Sequence, residues 1–179
     1  MSESPIKILK LSSVTLTRDK QDKIDEEFRK YERVTNQIIK AILEKGIPTE
    51  KKAIELLEET FHEKFDRRAQ YFRDVVKTAR VEITRHTRLS KTVRSMRDKT
   101  PKCKPNRIIL SSPLVKVKET AVILELSDRE KLPIPFDKRS RNRVIEELRA
   151  FESGQKKYTR VRLTMNRAGY IDIDIRVEG

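Results

Sequence analysis

Apolar side chains recur every three or four positions through most of residues 19–83, whereas most of residues 107–178 consists of short β-branched runs separated by turn residues. The first spacing sets one face of a helix against a core and the second builds strands. Their order limits the chain to a mixed fold whose helices are grouped in one block. A strand comes first: residues 6–16, IKILKLSSVTL, alternate loosely between apolar and polar and offer no helix cap before Thr17. Between Asp19 and Lys45, the side chains of Ile24, Phe28, Tyr31, Ile38 and Ile42 share one face of a long amphipathic helix, with Gly46 suited to the left-handed residue that ends it and Pro48 just beyond.

A second helix is expected after Thr49, a capping residue, with Glu50 in its first turn and a buried stripe of Ile54, Leu57, Phe61 and Phe65. At about 100° per residue, Phe72, Val75, Val76, Ala79 and Ile83 fall on one side of a third helix. Arg73, Lys77, Arg80, Arg88 and Lys91 lie within about 80° of one another on another side. Beyond His86 the apolar positions Leu89, Val93 and Met96 move to a different angle, which predicts a kink or a break near Thr84–Thr87. The stretch KTPKCKPNR, Lys99 to Arg107, holds two prolines and four basic residues and reads as an irregular cationic loop. Strands are then expected at RIIL (107–110), LVKVK (114–118), AVILEL (121–126) and LPIPF (132–136). Residues 140–152 predict a short helix with Val144, Leu148 and Phe151 inward, closed by Gly154. YTRVRLTM and YIDIDIRVE form a hairpin across Asn166-Arg167-Ala168-Gly169, since Asn and Gly tolerate the turn geometry.

The expected fold class is α+β: a curled β-sheet or barrel with an inserted three-helix block. Residues 1–16 plus 108–179 form the β-rich part, 17–98 the helical insertion and 99–107 a basic linker loop. At 179 residues the chain suffices for one compact domain or for a small domain carrying a large insertion.

Charge separates the parts further. The stretch 66–107 holds fourteen Lys and Arg against four Asp and Glu, net +10 of the chain's +14. Residues 1–65 carry 13 basic and 13 acidic side chains, and residues 108–179 carry 15 and 11. With a pI near 10.0, a local field of this kind favours a polyanionic partner. Nucleic acid, RNA or DNA, is the expected partner, ahead of an anionic membrane or an acidic protein and ahead of a plain solvated helix face with no partner. The candidate contacts are Arg73, Lys77, Arg80, Arg88, Lys91, Arg94, Lys99, Lys102, Lys104 and Arg107, which would bind phosphates and give affinity with little sequence choice. Among the aromatics, Tyr71 and Phe72 sit beside the stripe, with Phe72 assigned to the core. Tyr158 and Tyr170 are candidates to stack on a base, although a strand Tyr more often packs.

Catalytic, metal-binding and cofactor-binding residues are not expected in this chain. Asp172 and Asp174 alternate with isoleucines and fit the wet face of a strand better than a Mg²⁺ pair. His62 and His86 lack partners at metal-ligand spacing, and the four scattered glycines rule out a Gly-rich phosphate loop. Cys103 lies among cations that favour its thiolate, but a nucleophile needs a base and an oxyanion site. As the single cysteine it excludes an internal disulfide. There is no apolar run of about 18 residues and no long apolar core at the start, so a soluble, cytoplasmic protein is expected.

The order of elements resembles the N-terminal half of the transposon-encoded TnpB (OrfB) proteins, RNA-guided nucleases related to the type V CRISPR effectors. The resemblance rests on KLSSVTLTRDKQDKIDEEF (10–28), Asn36 within TNQIIKAI, the basic loop Pro101-Lys102-Cys103-Lys104, and the closing pair TRVRLTM and AGYIDIDIRVE. It implies a wedge-like barrel with a helical recognition lobe, which together hold a guide RNA and the DNA beside it. In that family a RuvC-like nuclease domain follows the closing strands, where this sequence ends. The expectation is therefore a binding module for structured RNA or an RNA–DNA duplex. The alternatives are the binding half of an RNA-guided DNA endonuclease whose RuvC-like domain is absent from this chain, carried by a separate nuclease subunit or omitted, and a DNA-binding regulator derived from one.

Overall fold

Seven strands and five α-helices make up the described residues, 6–179, of this computed structural model. The first five residues, placed with the β-rich part from the sequence, lie outside the described residues. The structure is mixed α+β. Two units divide it: residues 6–27 together with Asn106–Gly179, and Phe28–Pro105.

The first unit holds two antiparallel sheets. One has the order β1-β7-β6-β2, built from β1 (Ile8–Ser12), β2 (Arg107–Leu110), β6 (Tyr158–Met165) and β7 (Ile171–Val177); the other has the order β3-β4-β5, from β3 (Val115–Val117), β4 (Ala121–Glu125) and β5 (Lys131–Pro135). Alternation decides the faces: Leu9, Leu11, Val161, Leu163, Ile171, Ile173 and Ile175 are buried, and the residues between them are more exposed. The hairpin pairs Val161 with Ile175 and Leu163 with Ile173 around a turn in which Asn166 Oδ1 accepts from the Ala168 N–H at 2.9 Å. Gly169 has φ +90°, and a Cβ there would lie 3.1 Å from Gln21 Nε2, so both its conformation and its surroundings favour glycine.

The sheets remain open and do not close into the barrel that was one of the two expected forms. At β5 the reason is chemical: Pro133 and Pro135 have no N–H with which to continue a ladder. Their carbonyls instead accept from Lys20 Nζ at 3.0 Å and from the Val14 N–H at 3.0 Å. An isolated bridge, Ser13 opposite Phe136, links β1's continuation to the second sheet.

Residues 18–27, the start of α1 (Arg18–Lys45), belong to this β-rich unit. Lys20 and Gln21 bond the Pro133 and Leu16 carbonyls, and Glu27 accepts from the Ser127 N–H at 2.7 Å. The single helix expected over 140–152 is two, α4 (Lys138–Arg143) and α5 (Ile145–Ser153), because Val144 leaves helical geometry at φ −130° and ψ 26°. Leu148 and Phe151 are buried as expected, but Val144 is only half-buried.

The second unit packs the rest of α1 with α2 (Glu50–Lys64) and α3 (Ala69–Ser90). Gly46 ends α1 with φ +59°, and Thr49 caps α2 by accepting from the Lys52 N–H at 3.1 Å. Phe28, Tyr31, Ile38, Ile42, Leu57, Phe61, Tyr71, Phe72, Val75, Val76 and Ala79 form the core. Phe61 and Phe72 meet at 4.7 Å between ring centroids, and burying each contributes about 1.5–3 kcal/mol. Ile54, Phe65 and Ile83 are half-buried rather than inward, and Ala53 takes the place expected for Ile54. The predicted break near Thr84–Thr87 does not occur, and the helix continues to Ser90. Leu89 and Val93 are each 41% exposed, so the drift in apolar angle marks no second packed face.

Candidate nucleic-acid interface

The 100° step along α3 sorts its charges by sign. Its two acidic residues turn inward, Asp74 at 2% and Glu82 at 7% exposure, while Arg73, Lys77 and Arg88 are exposed. Gln70 Nε2 donates to Asp74 Oδ1 at 3.2 Å, and Glu82 pairs with Arg85 at 3.6 Å. Among the described residues no ion pair engages Arg73, Lys77 or Arg88, so their charge faces solvent unneutralised.

Arg80 behaves differently. It is half-buried, and its guanidinium donates to the Pro48 carbonyl at 3.0 Å and the Ile47 carbonyl at 3.4 Å, which ties the loop before α2 to α3. Lys91 follows the helix as its C-terminal cap, and Arg94 lies in a short 3-10 turn, Arg94–Met96; both are exposed. Arg97 Nε donates to the Ser90 carbonyl at 2.9 Å and helps to close the end of α3.

In the loop beyond, Lys99, Lys102 and Lys104 are exposed. Cys103 between them is buried at 5% exposure, its N–H donating to Asn36 Oδ1 at 2.8 Å and its thiol to the Lys104 carbonyl at 3.6 Å. The reactive, accessible thiol that the cationic loop implied is thus a covered one. Arg107 is not part of a loop: it opens β2 in the other unit, half-buried and opposite Thr164.

Of the aromatics, Tyr71 and Phe72 are both 1% exposed. Arg68 and Lys30 lie over the Tyr71 ring at 4.6 and 5.2 Å from its centroid. The Tyr158 hydroxyl accepts from the Val117 N–H at 3.1 Å and donates to the Val115 carbonyl at 3.3 Å, and its ring meets Phe151 edge-on at 5.4 Å, a packing position. Tyr170 is half-exposed. Asp172 and Asp174 do share a side of β7, where Asp174 accepts from Arg162 Nη2 at 2.7 Å and Asp172 from Asn166 Nδ2 at 3.4 Å. His62 Nδ1 lies 2.8 Å from the Asp66 carbonyl oxygen. Among the described residues no three His, Cys, Asp or Glu side chains are grouped to hold a metal ion, and no helix is long and apolar enough to cross a membrane.

Two cationic features are not singled out by the sequence pattern. Arg85, outside the stripe as the helical angle defines it, borders the same edge of α3 as Arg88; its place three residues before Arg88 is the signal that points to it. The run KRSRNR of α4 presents Lys138, Arg139 and Arg143 to solvent in the β-rich unit. Its density is visible in the sequence, but the near-even charge of residues 108–179 as a whole conceals it. Comparison with protein-family models and with curated proteins finds no match for this chain.

Proposed function

We propose that this chain is a cytoplasmic binding module for structured RNA or an RNA–DNA duplex, working through the cationic face of α3 and the loop 99–104 and contributing no catalytic residues of its own. The observation that carries the reading is the sorting of α3's charge: Arg73, Lys77 and Arg88 outward without ion pairs, Asp74 and Glu82 inward. A solvated helix face ordinarily mixes signs, and its pairs cancel the field at a distance. Here both carboxylates of α3 are buried, so the helix itself sets no surface anion among these cations. The order strand, helices, strands also supports the resemblance to the binding half of the TnpB proteins.

The test measures affinity of the wild type and of a variant with Arg73, Lys77, Arg88 and Lys91 changed to Ala for a structured RNA, an RNA–DNA duplex, a DNA duplex and anionic vesicles at several salt concentrations. Removal of each phosphate-binding cation should reduce the log–log salt slope by about 0.7–0.9. Full affinity and an unchanged slope in the variant, or binding to vesicles alone, would show that this face has another role.

A further inference from the structure

The start of α2 and the middle of α3 enclose an open groove of about 480 Å³, within the range of small-ligand sites (~300–1,000 Å³). Arg80, Thr84 and Arg88 stand one turn apart along α3 on its wall, with Arg85 beside them, and Thr49 and Glu50 form the opposite lip. We infer that this groove holds a backbone phosphate of the bound nucleic acid, with Arg85 and Arg88 as its contacting groups; the inference rests on the function proposed above and assigns it a place.

Three observations carry it. Arg88 has no ion pair among the described residues and is free to turn toward an incoming oxyanion, while Arg85, its side chain 44% exposed, holds Glu82 through Nη1 at 3.6 Å and has its other guanidinium nitrogens to offer. A planar guanidinium matches two phosphate oxygens at once, which a lysine does not. The groove also has rigid walls, because Arg80 grips the Pro48 and Ile47 carbonyls and holds the entry to α2 against α3. Finally, Val81 lines the groove at 46% exposure, an apolar surface on which a ribose can lie next to the phosphate.

Glu50 makes the inference sharply testable, since its carboxylate stands at the lip where a phosphate would be repelled. Glu50→Gln is compared with Glu63→Gln, which changes net charge equally at the other end of the same helix. Glu50→Gln should tighten binding of a structured RNA about threefold, as removal of one like charge at close range does through water, with little change in Glu63→Gln. Arg85→Ala with Arg88→Ala should weaken binding at least tenfold and lower the salt slope by about 0.7–0.9 per cation removed.

A second pair, Arg73→Ala with Lys77→Ala, separates the groove from the face as a whole. If that pair loses affinity while the Arg85/Arg88 pair and Glu50→Gln retain wild-type affinity, the face binds nucleic acid but the groove does not hold its phosphate. If the wild type binds none of the nucleic acids, the proposed function fails and the inference with it. If poly-glutamate binds through Arg85 and Arg88 and the RNA does not compete, the groove recognises acidic protein and the inference is wrong. Melting curves for all variants exclude unfolding as the cause.

Discussion

The side-chain oxygen of Asn36, midway along α1, accepts the backbone N–H of Cys103 at 2.8 Å and so holds the loop that carries Lys102 and Lys104. Asn36→Ala leaves that N–H without its acceptor, and an unsatisfied buried donor costs about 1–3 kcal/mol. Because Cys103 is the chain's single cysteine, the rate of thiol labelling reports on this loop alone. Labelling should be slow in the wild type and in Asn36→Asp, which keeps an acceptor oxygen, and faster in Asn36→Ala. Equal rates in all three would mean that other contacts hold the loop.

Asp66 is the acidic centre of the helical unit, 2.7 Å from Lys30 Nζ and 3.0 Å from Arg68 Nε; the side-chain exposures of Asp66, Lys30 and Arg68 are 3%, 17% and 7%. Burial opposes its ionisation, but hydrogen bonds from Arg68 and then Lys30 outweigh burial and hold the carboxyl below its ordinary 3.8. A depressed folded-state pKa contributes stability that is complete above the unfolded-state value and is lost as the pH falls through the folded-state value. Denaturant melts should therefore show little change from this group between about pH 7 and about pH 5 and a loss below about pH 4. Asp66→Asn should be less stable at neutral pH by about 3–5 kcal/mol, since two cations lose their counter-ion, and should show a smaller further loss in acid. A variant that loses as much stability in acid as the wild type would place the acid sensitivity elsewhere.

Thr35 is 0% exposed on α1, and its Oγ1 has no hydrogen-bond partner among the described residues. Replacing the hydroxyl by a methyl in Thr35→Val keeps the shape and removes an unpaired polar group whose burial costs about 1–3 kcal/mol. The variant should melt higher, by about 2–4 °C per kcal/mol in a protein of this size. A lower melting temperature would show that the hydroxyl has a partner in solution.

Much of the fold was legible from local pattern. The turn at Asn166–Gly169, the cap at Thr49, the end of α1 at Gly46 and the alternation that marks each strand involve residues within a few positions of one another, and the backbone conformations these residues favour are local properties. The apolar drift past His86 misled because periodicity shows where a face points, not whether anything covers it; Leu89 and Val93 face solvent. Val144 misled for a related reason, since an inward-looking angle did not disclose the change of backbone direction between α4 and α5.

The candidate site divides along the same line. Sequence alone determined that residues 66–107 are cationic and that Arg73, Lys77 and Arg88 share one side of a helix, because charge and a 100° step need no knowledge of neighbours. Only the tertiary structure decided which cations are engaged. Arg80 bonds carbonyls 32 and 33 positions away, and Cys103 is covered through Asn36, 67 positions away. The contacts of β5's outer edge were decided there too, as Lys20 reaches the Pro133 carbonyl from 113 positions away. Such partners are brought together by burial of the core, which rewards apolar area wherever it lies along the chain and leaves no mark in the spacing of the polar residues it positions.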